Sequence, residues 1–305
     1  MINELTEKIS DLNQKIRTKY DSIFQMEDED FQRALSEACD FDTLTGLSEK
    51  ELKNIGAICA IDGSTNRQGG AYPHYVQIFR AVGIFSGGER VEMADVFSPV
   101  LEGKGEDEAE STKRLAKIEV ETGIKAINEL RPRVLLMDGG LIRYKIDAGE
   151  SWKELRSLAI EKNVILCGVI KDIKTRIIPD VLGMDSLVFD REILYGKLNY
   201  KDVLFIKETH SNKFLEGLSS AFLRPAKSVN VIGVDILNEQ KKYLPLICNL
   251  VYTLVPKASR GVPFILDMVD REAKVTDTLM KTLLEENLDR DVYERFFISE
   301  RDKRV

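Results

Sequence analysis

Hydrophobic positions along the chain fall into short uncharged runs separated by longer amphipathic stretches, as in buried strands alternating with helices. Ala57 to Ile61 is small or β-branched apart from Cys59, and predicts a strand covered on both faces. Two strand-like runs follow from Tyr75 and Arg90, joined by Ser86-Gly87-Gly88-Glu89 as a hairpin turn. These first three strands predict an antiparallel meander. A helix is predicted from about Glu108 to Leu130, with Leu115, Ile118, Gly123, Ala126, Ile127 and Leu130 on one side, and Pro132 ends it. RVLLMDGGL is a fourth strand, SWKELRSLAIEK a second helix, and Val164 to Ile170 a fifth strand. The order βββ-α-β-α-β predicts an α/β protein.

Outside this core the pattern changes. Ile2, Ile9, Ile16 and Ile23 recur every seven residues with Leu5 and Leu12 between them, so residues 1–50 are expected to be an N-terminal helical extension carrying a heptad seam. Lys19 interrupts the last d position, leaving about three heptads at most for a coiled coil. A contact with a second subunit or a partner is expected, with docking on the chain's own domain as the alternative. MEDEDFQRALSEACDFD reads as helix and connector, LPLICNLVYTLV as strands or buried segments, and GVPFILDMVDREAKVTDTLMKTLLEEN as a short extended piece followed by one long closing helix. Residues 51–290 are expected to form one domain. The tail 291–305 offers Val292, Tyr293, Phe296 and Phe297 as a docking patch.

Composition narrows the chemistry. The 305 residues are 43% hydrophobic and 31% charged, as suits a soluble globular protein. MINELTEKIS has no apolar h-region and no later run approaches membrane-spanning length, so a cytoplasmic protein without a membrane partner is expected. Cys39, Cys59, Cys167 and Cys248 lack any C-x-x-C spacing and read as reduced core thiols. His74 and His210 are the only histidines, and His210 is expected in an exposed loop, which argues against both a histidine metal cage and a Ser-His-Asp triad. Any metal is then hard and oxygen-ligated, such as Mg²⁺ or Mn²⁺. A net charge of −7 does not advertise nucleic-acid binding, yet a local basic groove decides that question and a carboxylate-rich site lowers the total by itself.

Two apolar runs end in Asp-Gly, placing Asp62 and Asp138 at predicted strand ends, where ligands of open α/β sheets sit. A carboxylate there needs a cation, donors or a metal, and a metal is the working hypothesis. An Asp-Gly-Ser turn bonded to its own backbone is the alternative for Asp62. Glu119 falls within the apolar side of the first helix, whereas Glu121 falls among Lys117, Lys125 and Asn128. Pairing with Arg131 or Arg133 would also account for Glu119. Asp267 and Asp270 share a face at the start of the closing helix, where either is also placed to cap it. KDIKTR, with Lys171, Lys174 and Arg176, leaves the fifth strand beside the acids, as a phosphate-steering loop or as a solvated one.

This layout, with acids on strand one, the first helix and strand four, is that of the RNase H-like fold: a mixed sheet flanked by helices. AIDGST, the helix carrying Glu119, VLLMDGGLI, VIKD and GVPFILDMVDREAK together resemble the NurA nuclease domain, from about residue 50 to the closing helix. The family more usually has DGS where this chain has DGG. The resemblance implies a metal-dependent DNA nuclease preferring Mn²⁺, a 5′ to 3′ exonuclease with single-strand endonuclease activity. It also implies a homodimer that works with a HerA-type hexameric ATPase in DNA end resection. Asp62, Asp138, Glu119 and Asp270 match the acidic positions and Lys171 a basic one able to hold a phosphate. Such acids can hold two divalent ions about 4 Å apart, with Asp62 as the bridging ligand. The alternatives are an actin-like nucleotide-binding protein, whose glycine-rich adenosine pattern is missing from the sequence, and a non-catalytic adaptor acting through the heptad and the aromatic tail.

Overall fold

In the computed structural model, which describes residues 2–102 and 108–298, the strands are β1 (Cys39–Thr43), β2 (Ile58–Gly69), β3 (Tyr75–Phe85), β4 (Arg90–Phe97), β5 (Val134–Asp138), β6 (Ile165–Ile170), β7 (Asp202–Ile206), β8 (Leu218–Leu223) and β9 (Ile232–Leu237). They form one mixed sheet in the order β1-β7-β8-β9-β6-β5-β2-β3-β4. β2, β3 and β4 make the expected antiparallel meander, and β5 and β6 add to β2 in parallel, giving the RNase H-like core. From β6 the sheet continues through antiparallel β9, β8, β7 and β1.

The main helices are α1 (Ile2–Lys19), α2 (Asp28–Ala38), α3 (Glu49–Ile55), α4 (Glu108–Leu130), α5 (Leu141–Asp147), α6 (Gly149–Glu161), α7 (Leu244–Leu254), α8 (Phe264–Ala273) and α9 (Asp277–Asn287). Side chains alternate across the central strands. Ile58, Ala60, Val134 and Leu136 pack with α7 and α8, while Cys59, Ile61, Leu135 and Met137 pack with α4 and α6. A helix layer on each face explains why these strands carry no charge until their acids. All four cysteines are buried and free, and burial pushes the Cys59 thiol up to about 12.

Several expectations are corrected. Cys39–Thr43, read as connector, is a strand at the sheet edge, so the sheet takes in chain ahead of residue 50. LPLICNLVYTLV is helical, with Leu244, Ile247, Cys248, Leu250 and Val251 buried, because an unbroken apolar run has no periodicity to separate strand from helix. The closing helix is two helices. Thr276 caps the second by accepting from Leu279 N. Ser64 holds the break, its hydroxyl donating to Ala273 O at 2.6 Å and accepting from Val275 N at 2.8 Å.

Along α1 the heptad seam is not buried by any of the described residues; only Ile23, beyond that helix, packs partly buried on the chain's own core. α1 has no buried residue, and Leu5, Ile9 and Leu12 are 55%, 65% and 54% exposed. In the tail, Tyr293 and Phe297 are buried against Val76 and Ile78, leaving Phe296 exposed, and residues 299–305 lie outside the described residues. Among the described residues no helix is long and apolar enough to cross a membrane.

Candidate functional site

The register of β2 against β5 positions the first two acids. Ile61 lies beside Met137 in the parallel ladder, so Asp62 and Asp138 come next as neighbours. β5 ends at Asp138, whereas β2 runs on to Gly69 paired with β3. Asp62 therefore does not end its strand, as the sequence suggested. It stands where β2 loses its parallel neighbour, and the gap that opens there is the site. Gly139, at φ +117°, turns the chain away from Asp138 in a conformation that side chains rarely adopt. Gly139 N donates to Val169 O at 2.9 Å and the Tyr144 hydroxyl donates to Asp138 O at 2.8 Å, fixing the backbone around the second acid.

Each helix layer contributes a further acid. Glu119, 1% exposed, comes from α4 and crosses Gly63, where a Cβ would sit 2.7 Å from Glu119 Cγ and 2.8 Å from its Oε1. The glycine after Asp62 thus makes room for an acid from another element, while its N–H donates to Asp62 Oδ1 at 2.8 Å. α8 brings Asp270. Asp62, Glu119, Asp138, Lys171 and Asp270, the five residues picked out in the sequence, all line one cleft of about 570 Å³. Glu121 lies elsewhere, 3.7 Å from Lys117, and Asp267 is held by Arg260 at 2.7 Å.

Charge is crowded in this cleft. Burial first, then the Asp138 charge, push Asp62 up to about 8, against the Gly63 N–H and Lys171. Burial raises Asp138 as well, opposed by Lys171, which donates to its Oδ2. Arg143 donates to Glu119 Oε2. The sequence reading missed Arg143 and offered Arg131 or Arg133 as partners for Glu119; Arg133 bonds Asn163 O instead. Arg143 lies on α5, whose seven residues are too few for a periodic signal.

Among the described residues, no three acid, thiol or imidazole side chains already surround one point in the manner of metal ligands. Lys171 and Arg143 occupy two of the acids. The donor set still suits a hard cation: carboxylates alone, from β2, α4, β5 and α8, with burial raising both Asp62 and Asp138. The histidines take no part. His74 stacks on Phe296 at 5.5 Å, and His210 is half-buried, 3.6 Å from Glu37, rather than in an exposed loop.

No curated protein sequence matches the chain. Among solved structures it is similar to the NurA nuclease from Sulfolobus solfataricus, with a TM-score of 0.64 and 14% identity over 95% of this chain and 99% of that one. It is also similar to a NurA bound to dAMP and manganese, with a TM-score of 0.56 and 11% identity over 96% of this chain and 98% of that one. The NurA domain itself matches residues 56–275, a span that holds every acid of the cleft. With most of its length so matched, the chain belongs to the NurA family.

Proposed function

We propose that this chain is a metal-dependent nuclease that hydrolyses phosphodiester bonds of DNA. The observation that carries the reading is the meeting of Asp62, Glu119, Asp138 and Asp270 in one cleft with Lys171 and Arg143. These four acids would hold Mn²⁺ or Mg²⁺, two ions in the full reading. Bound there, divalent ions supply Lewis acidity and acidify water at neutral pH. The chain's own residues do the rest. Asp62 and Asp138 draw the cation in because, buried side by side, they carry more negative charge than Lys171 alone compensates. Lys171 and Arg143, which pair with Asp138 and Glu119, hold the charged oxygens of the substrate phosphate once those acids have another counter-ion.

The finer reading follows family membership. The enzyme acts in the cytoplasm as a 5′ to 3′ exonuclease and single-strand endonuclease in DNA end resection and double-strand break repair, with a HerA-type hexameric ATPase. Residues 51–290 form the nuclease unit. The exposed seam of α1 supports a homodimer.

End-labelled single- and double-stranded DNA, incubated with Mn²⁺, Mg²⁺ or EDTA, tests this reading. Cleavage that needs the metal and disappears in Asp62→Asn and Asp138→Asn is expected. Cleavage that persists in both variants would displace the acids from their role. Mn²⁺ binding to the wild type, absent by calorimetry, would turn the chain into an adaptor.

A further inference from the structure

Beyond Lys171 the acidic cleft opens into a second chamber of about 650 Å³, lined among others by Lys174, Thr175, Arg176, His210 and Lys213. Lys174, Thr175 and Lys213 line both spaces and so form their common wall. Two fully buried acids hold that wall in place. Asp190 accepts from Thr175 Oγ1 at 2.6 Å and from the backbone of Ile177 and Ile178 at 2.9 and 2.7 Å. Asp235 accepts from Lys213 Nζ at 2.9 and 2.8 Å and from Ser220 Oγ at 2.6 Å.

Buried carboxylates are costly unless satisfied, and here each is satisfied by the loop or the lysine that faces the chamber. Arg176 stiffens the same loop through the carbonyls of Asp185, Val188 and Met184, at 2.5, 2.6 and 3.0 Å. Of the acids lining the chamber, Asp180 is paired with Arg176 at 2.8 Å, and Glu37 lies 3.6 Å from the His210 ring. Lys174 is exposed and has no partner among the described residues, so it is the uncompensated charge at the junction. Lys213 has a proton to spare, since an ammonium carries three and Asp235 engages two.

We infer that this second chamber is a subsite for a backbone phosphate of the nucleic-acid strand, flanking the phosphate held in the acidic cleft, with Lys174 and Lys213 as its anion-binding side chains. The inference rests on the nuclease reading. A strand held at both phosphates is fixed in direction as well as position, and a mononucleotide would leave the second chamber empty.

Anisotropy of a 5′-labelled single-stranded oligonucleotide across a salt series tests it, in the non-cleaving Asp62→Asn background with and without Lys174→Gln. Loss of one phosphate contact lowers the slope of log affinity against log salt by about 0.7 and weakens binding several-fold at low salt. The same charge change at Lys281, on α9, is expected to leave the slope unaltered. Binding of the parent with an unchanged slope in Lys174→Gln overturns the subsite while the nuclease reading stands. If the parent does not bind the oligonucleotide and the wild type does not cleave it with Mn²⁺, the nuclease reading falls and the subsite falls with it.

Discussion

Arg143 donates a hydrogen bond to the carboxylate of Glu119, a residue only 1% exposed, and so joins α5 to α4 at the edge of the acidic cleft. Removing one partner of a buried pair leaves the other charge without compensation. Arg143→Ala is therefore expected to cost about 3 kcal/mol of stability in EDTA, the low end for buried pairs because Arg143 is itself about one-third exposed. Added Mn²⁺ should then recover more stability than it adds to the wild type. Urea unfolding with and without the metal reads both numbers, and a variant as stable as the wild type in EDTA would show that the pair holds nothing.

The raised Asp62 makes the metal-free protein sensitive to pH. Unfolded, an aspartate titrates at about 3.9; folded, this one is pushed up to about 8, so between those values the folded state keeps the extra proton. The stability linked to that proton is complete below about 3.9 and is lost as pH rises through about 8. In EDTA, the melting temperature should fall between pH 5 and 8 more steeply for the wild type than for Asp62→Asn. A cation competes with the same proton, so the stabilising shift produced by Mn²⁺ should grow over that range. Parallel profiles for the two proteins would mean that another group titrates.

Gly63→Ala tests the passage of Glu119 over β2. A Cβ there would lie 2.7 Å from Glu119 Cγ, so the acid must move or the strand must shift. A stability loss of about 1–3 kcal/mol is expected from overpacking. Mn²⁺-dependent cleavage is expected to fall at least tenfold while circular dichroism stays native. Full activity would show that Glu119 is not needed where it stands.

The exposed seam of α1 calls for a partner surface. Ile9→Asp places a charge at an a position without touching any buried residue of the chain. Light scattering should show the wild type as a dimer and the variant as a monomer, with the melting temperature of the nuclease unit preserved. A wild type that is already monomeric would assign the seam to another partner.

Much of this was legible in the chain. The uncharged runs ending in Asp62 and Asp138, the turn at Ser86–Glu89 and the helix Glu108–Leu130 with Glu119 on its apolar side were all readable. Strand and helix periods are local properties that reveal which face of an element is buried. An acid on a buried face stands out without any knowledge of what it meets.

What Glu119 meets was not legible. Arg143 lies 24 residues further on in the sequence, on a helix of seven residues, and only the packing of α5 beside α4 brings the two together. The same holds for the length of β2, the break between α8 and α9 fixed by Ser64, and the holding of Lys213 by Asp235. The sequence by itself determined the order of the elements of the RNase H-like core and four of the acids, because burial patterns and turns are written within a few neighbouring residues. Tertiary structure alone decided which cation neutralises which acid and where the cleft continues, because contacts between distant segments follow from how helices and strands pack in space.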